Sequence, residues 1–391
     1  MALVFMDGFD HYTDRTPELA GDDPLNELWD KWEYSINVGG VGARSSLSVL
    51  RRTAPSSWNI GYLGVGSSWY PIKIYRHFNE PHYDTLIVGF AFNALHAMNP
   101  PTAPEILFYD EDLNLCAEVH PIDSLGRPWV RVFKDAGAYD DYYGPNDTTE
   151  ENTWYHCECK ILFDDSAGTI ELKINETLVI DESGIQTFKT GGDSNNNYSF
   201  AEVAIEKGIF AGMAVDDFYV LDGQGSVAND FIGDVRIDTI YPDADGDLID
   251  FNPFPDTEDN YECVQPILFS YYRGLFPFEW WWDATAIDKD KYNEGVTVGH
   301  RECYHHESLL SLNTPVLAVQ QVSMFRKTDA GQKQVEQFLR IGANNYDSGR
   351  DIDVPDFYKF YYNPVTLNPA TSTQWTEATV ATIQSGIKIN I

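Results

Sequence analysis

The stretch WYHCECKILFDDSAGTIELKINETLVID, Trp154 to Asp181, decides the fold. Tyr155, Cys157, Cys159, Ile161 and Phe163 alternate with His156, Glu158, Lys160 and Leu162. Such alternation marks a strand with one buried face, because successive side chains leave the pleat on opposite sides. DDSAG then bends the chain. Ile170, Leu172 and Ile174 alternate with Glu171 and Lys173, and a second tight turn at Asn175-Glu176 leads into LVID. Three runs joined by short turns predict an antiparallel meander over 154–181.

The same texture extends outward through TLIVGFAFNAL (85–95), PEILFYDEDLNLCAEV (104–119) and GIFAGMAVDDFYVLDG (208–223). Turn residues separate these runs at intervals that suit sandwiches and barrels, and helical periodicity is scarce. The chain therefore reads as all-β. One segment, DAGQKQVEQFLRIG (329–342), fits both periods: Val335, Phe338 and Leu339 are helix-spaced, while Val335, Gln337, Leu339 and Ile341 alternate. VLAVQQVSMFRK before it is strand-like and TDAG makes a turn, so a β-hairpin is expected. With 391 residues there is room for two or three domains. The small residues of GQGS put a boundary between a domain over 1–226 and a second, smaller β domain over 227–391, with an aromatic-rich insert at about 267–295.

Composition narrows the function. Lys and Arg number 26 against 61 Asp and Glu, a formal net charge of −35. A surface so acidic repels nucleic acid and anionic membrane, leaving solubility, cation binding or a basic partner. No run of 18 apolar residues predicts a membrane helix, and the start of the chain lacks the basic and apolar regions of a secretory leader. The five cysteines are Cys116, Cys157, Cys159, Cys263 and Cys303. Cys157 and Cys159 share one face of a strand, too close in sequence for an easy mutual disulfide. A zinc site drawing on His156, Cys303, His305 or His306 lacks the ligand spacing of a ribbon, so reduced thiols are expected.

The 154–181 meander resembles the laminin-G / concanavalin-like jelly roll: a strand led by Trp154, a turn with Gly168, an apolar strand, the Asn175-Glu176 turn and a further strand. MDGFDHY (6–12) and AVDDFYVLDG (214–223) lie where such folds place their first and last strands, which pair near each other. A second resemblance spans the joint. DDFYVLDGQGSVANDFIGDVRIDTIYPDADGD (216–247), RKTDAG (326–331) and NPATSTQWTEATVATIQSGI (368–387) look like a family of tailed-phage virion proteins in which a concanavalin-like domain precedes a smaller β domain. The aromatic insert has no counterpart there. The resemblance implies a non-enzymatic structural component of a bacteriophage virion (tail, neck, baseplate or capsid decoration). Its partners would be other virion proteins and copies of itself. The alternative it leaves is a receptor-binding, lectin-like module that grips host glycan.

Candidate chemistry is sparse. Asp243, Asp245 and Asp247 alternate around Gly246, and with Asp216, Asp217 and Asp222 they offer carboxylates to a structural calcium ion. The EF-hand pattern fails, since glycine falls fourth and Phe254 occupies the twelfth place. Solvated loop acids are the competing reading. The Glu-x-Asp-x-x-Glu strand of concanavalin-like glucanases is missing, as are a Gly-x-Ser-x-Gly elbow, a P-loop and a dinucleotide fingerprint, so no catalytic residue is assigned. CYHHES (303–308) reads as a surface loop. In FPFEWWWDA (276–284), three consecutive Trp residues cannot share one sheet face. Phe276, Phe278, Trp280, Trp281 and Trp282 are therefore candidates for a subunit interface, with packing inside the chain and carbohydrate stacking as alternatives.

Overall fold

The structure is a computed structural model that describes residues 3–8, 33–36, 58–60, 72–78, 83–96, 105–151, 153–192, 202–207, 212–255, 259–264, 267–271, 282–286, 291–308 and 315–391. The chain divides into two compact units, the first reaching to Ile237 and the second running from Asp238 to Ile391.

The strands of the first unit are β1 (Leu3–Asp7), β2 (Glu33–Ile36), β3 (Trp58–Ile60), β4 (Ile72–His77), β5 (Thr85–His96), β6 (Glu105–Tyr109), β7 (Leu115–His120), β8 (Trp129–Phe133), β9 (Tyr139–Tyr143), β10 (Trp154–Leu162), β11 (Gly168–Ile174), β12 (Thr177–Ile185), β13 (Glu202–Lys207) and β14 (Gly212–Leu221). They form two antiparallel sheets of seven strands each among the described residues. One has the order β1-β14-β5-β10-β11-β12, with β3 also on β14; the other has the order β2-β4-β13-β6-β7-β8-β9. This is a jelly-roll sandwich. The first and last strands pair, Leu3 opposite Leu221 and Asp7 opposite Phe218.

The 154–181 meander is present, with β10 on β11 and β11 on β12. Its second turn carries positive φ at both Asn175 (45°) and Glu176 (65°), the twist that a two-residue hairpin needs. Asn175 also ties the turn down: its Oδ1 accepts the His156 N–H at 2.8 Å. The inward face of this sheet is apolar, with Val88, Phe90, Cys157, Cys159, Ile161, Ile170 and Leu172 all buried. None of the five cysteines forms a disulfide, and all are buried. Burial pushes the Cys159 thiol far above the ordinary range, so it behaves as a small apolar side chain.

One expectation is corrected here. β10 is buried on both faces at its centre, since His156 and Glu158 are as inaccessible as Cys157 and Cys159. The cover comes from the joint. Residues 231–241 pair with no strand among the described residues, and the strand expected after GQGS begins only at Pro242. The backbone of 231–237 is instead held by buried carboxylates of the first sheet. Glu158 Oε1 accepts the N–H groups of Ile232 at 2.8 Å and Gly233 at 3.1 Å, and the Tyr219 hydroxyl at 2.6 Å. Asp217 Oδ1 accepts the Ile237 N–H at 2.8 Å. Asp217 sits at a break in the β14–β5 register with φ +51°, which turns its carboxylate toward that segment. The Tyr219 ring lies flat across Gly89, where any Cβ would fall 2.0 Å from Tyr219 Cζ.

The second unit contains β15 (Pro242–Ile249), β16 (Asn252–Phe254), β17 (Ile267–Tyr271), β18 (Trp282–Ala286), β19 (Tyr292–Glu294), β20 (Arg301–His306), β21 (Val319–Phe325), β22 (Gln334–Ile341), β23 (Asn344–Asp347), β24 (Ile352–Asp353), β25 (Lys359–Val365) and β26 (Ile383–Ile389). A sheet ordered β15-β20-β26-β22-β23, with β24 beside β22, is its centre; β21 pairs β25 separately. Trp375, Leu339, Val380 and Ile383 form a core cluster, and the Trp375 indole N–H donates to Val365 O at 2.9 Å. Residues 334–341 are a strand as expected, but the hairpin with 316–327 is not formed. The eight-residue link RKTDAGQK is too long for a tight turn, and each strand pairs elsewhere: β22 with β26 over seven residues and β21 with β25 over seven.

Candidate functional site

The outer face of the second sheet carries a polar groove of about 510 Å³ lined by Glu105, Glu118, His120, Asp123, Ser124, Arg127, Trp129, Arg131 and Tyr143. Strand register explains how residues so far apart in sequence meet. Glu118 lies opposite Arg131 and Arg131 opposite Asp141, while His120 lies opposite Trp129 and Trp129 opposite Tyr143. Each strand offers its pair at i and i+2, so both cross-strand rows point to one face. Val119 and Val130, between the members of these pairs, and Val132, just after Arg131, are buried on the core side.

The charged groups are locked. Arg131 forms a fork with Asp141, at 2.7 Å from Nε and 3.0 Å from Nη2, and its Nη1 comes within 3.7 Å of Glu118. The Asp141 hydrogen bond holds the guanidinium pKa up. Burial opposes ionisation of Asp141, but the Arg131 contact overrides it and keeps the carboxyl below its usual range. In the loop after β7, Asp123 accepts the N–H groups of Leu125 and Arg127 and pairs Arg127 Nε at 2.6 Å. That loop needs Gly126, whose φ is +67° and whose Cβ would sit 2.5 Å from Thr149 O. Arg127 is thereby placed over the Tyr143 ring, 4.1 Å from its centroid.

His120 and Trp129 form the floor. Their rings stack at 3.6 Å with a 6° interplanar angle, and His120 is 2% exposed. The imidazole lies between two carboxylates: Nε2 is 3.3 Å from Glu118 Oε2 and Nδ1 is 3.5 Å from Glu105 Oε1. Burial lowers the His120 pKa, against the raising pull of the Glu118 hydrogen bond. Tyr143 closes one side, stacked on Trp129 at 5.8 Å and itself 47% exposed.

None of these residues stands out in the sequence. The available signal was three successive strands, LCAEVH, PWVRVF and YDDYY, each with two polar or aromatic residues at i and i+2 on the face away from the valines.

The residues singled out from sequence lie elsewhere. Asp216, Asp217 and Asp222 are buried in the first unit. Asp216 accepts the Asp217 N–H and Asp222 the Gln224 N–H, both at 2.9 Å. Burial raises the Asp222 pKa, against the lowering effect of that bond. Asp243, Asp245 and Asp247 belong to the second unit. Asp245 accepts the Tyr261 N–H at 2.7 Å, and Asp247 pairs Arg340 at 2.9 Å. Cys303, His305 and His306 are in β20, not in a loop: Cys303 turns into the sheet and pairs with Gly386 of β26. The run Phe276, Phe278, Trp280 and Trp281 lies outside the described residues, and of Trp282 only the backbone is described, as the first residue of β18.

Scanned against protein-family models and against curated proteins, the chain matches none. Solved structures do resemble it. A carbohydrate-binding module, CBM66, from Bacillus subtilis is 12% identical, with 46% of this chain and 94% of that one covered and a TM-score of 0.29. The exoplasmic/lumenal domain of VIP36 in its Ca2+/Man-bound form is 9% identical over 45% of this chain and 80% of that one, with a TM-score of 0.29. The alginate lyase Aly36B is 11% identical over 42% of this chain and 84% of that one, with a TM-score of 0.25.

Proposed function

We propose that the first unit is a non-enzymatic saccharide-binding module whose ligand lies in the groove on β7, β8 and β9. The observation that carries this reading is the Tyr143 ring, 47% exposed although Arg127 lies over one face, set beside planar charged groups that ion pairs hold rigid. A sugar offers C–H faces to an aromatic ring and adjacent hydroxyls to a guanidinium or carboxylate. A preformed groove with few freely rotating donors binds such a ligand at low entropic cost. Glu105, Glu118 and Asp123 outnumber Arg127 and Arg131 among the lining residues, and this balance favours a neutral saccharide over an anionic one. A hydrolytic role fits poorly, because Glu105 and Glu118 converge on the His120 imidazole, at 3.5 Å and 3.3 Å, and do not face each other across an open cleft.

The virion setting is supported by the sequence resemblance, and a receptor-binding component that grips host glycan would satisfy both readings. The purified chain is expected to bind neutral oligosaccharides on a glycan array, and Tyr143→Ala to weaken that binding at least tenfold with little change in melting midpoint. A silent array, or binding indifferent to Tyr143→Ala, would end the proposal.

A further inference from the structure

Either neutral tautomer of His120 leaves a ring nitrogen facing a carboxylate with its lone pair. With the proton on Nε2, the ring donates to Glu118 and the Nδ1 lone pair faces Glu105 Oε1 at 3.5 Å. With the proton on Nδ1, the Nε2 lone pair faces Glu118 instead. Nδ1 is buried and makes no hydrogen bond. Two electron-rich atoms confined together repel unless positive charge lies between them. A second proton on the ring is one source, but it would place a full charge on a side chain that is 2% exposed. Of the nearby guanidinium groups, Arg131 bonds chiefly to Asp141 and comes only within 3.7 Å of Glu118, and Arg127 pairs Asp123. One ring nitrogen and one oxygen from each of Glu105 and Glu118 lie within 4.8 Å of one another. Donors at about 2.1 Å from a tetrahedral ion are separated by about 3.4 Å, so side-chain rotations that draw the three groups together by about 1 Å would complete the set.

We propose that Glu105, Glu118 and His120 hold a divalent transition-metal cation of the zinc or manganese class on the floor of the groove, with water in its remaining positions. One imidazole and two carboxylates suit a borderline cation, whereas calcium takes six to eight oxygens. The Trp129 stack fixes the orientation of the ligand ring, as supporting groups do around metal-bound histidines. The site needs no sugar and does not rest on the saccharide reading.

The test is a calorimetric titration of the full chain, freed of metal with EDTA and dialysed, using Zn2+ alone at pH 7.5. One saturable equivalent is expected. H120Q should bind at least 100-fold more weakly, and E105Q and E118Q at least tenfold more weakly. The Glu105 side chain is partly exposed, so E105Q is the variant expected to keep the wild-type melting midpoint if H120Q disturbs the floor. Co2+ should quench tryptophan emission in the wild type and do so less in Trp129→Phe. No saturable Zn2+ binding, or equal affinity in the wild type and E105Q, overturns the proposal.

Discussion

Glu158→Ala is expected to cost the first unit about 4 kcal/mol, the largest loss from any single side chain considered. Glu158 is 1% exposed and one of its oxygens accepts three hydrogen bonds, from Tyr219, Ile232 and Gly233. Alanine would leave a buried hydroxyl and two backbone N–H groups without an acceptor, each costing about 1–3 kcal/mol, with partial relief from water entering the space. Tyr219→Phe removes one donor and keeps the ring packed on Gly89, so about 1–2 kcal/mol is expected. The phenol itself stays protonated, since burial and then the Glu158 charge push its pKa well up. Urea unfolding of the two single variants and the double variant checks the account. The double variant should lose clearly less than the sum of the singles, because both delete one shared contact. Strict additivity would show that the carboxylate and the hydroxyl act independently.

The second unit should show almost no change in stability between pH 7 and 5, and either of two substitutions should reveal an opposite slope. Glu302 is buried in β20, where desolvation raises its pKa from 4.5 to about 7 despite hydrogen bonds from the Phe251 N–H and Asn260 Nδ2. A carboxyl raised in the folded state stabilises fully below its unfolded pKa, and that contribution is lost as pH rises through about 7. His306, in the same strand, is lowered by burial from 6.5 to about 4. Its contribution is complete above 6.5 and is lost as pH falls through about 4. From pH 7 to 5 the two changes are each about 2 kcal/mol and opposite in sign. Glu302→Gln should therefore make the unit lose about 2 kcal/mol over that interval, and His306→Gln should make it gain about as much. The readout is the urea transition that hydrogen exchange assigns to β20 and β26. Parallel slopes in both variants would show that neither group titrates in this way.

The fold was legible where one physical rule acted alone. β11 alternates cleanly between buried and half-buried residues because only its inner face meets other side chains. Its neighbour β10 obeys the same pattern in sequence and departs from it in the structure. A covering segment from residues 231–237 buries Glu158 on the face that alternation assigns to water. That return depends on Glu158, 74 and 75 positions before the two N–H groups it binds, and on Asp217, 20 positions before Ile237, separations that no local period encodes. The groove was hidden for a related reason. Glu118, Arg131 and Asp141 are ordinary solvated residues in their own strands and become a row only through the β7–β8–β9 register. The EQFLRI ambiguity resolved to a strand, but one that lies between β26, over residues 383–389, and β23, the run just after it, and not against the preceding strand.

The segment clasped by Glu158 and Asp217 behaves as a built-in peptide ligand. A gene truncated at codon 226 would yield a first unit with an empty receptor for its own missing tail, Glu158 stripped of its two backbone donors, and a bare patch of sheet. Supplied in trans, a synthetic oligomer covering 227–238 should dock there and restore the melting profile, so the sandwich could serve as the larger half of a split reporter.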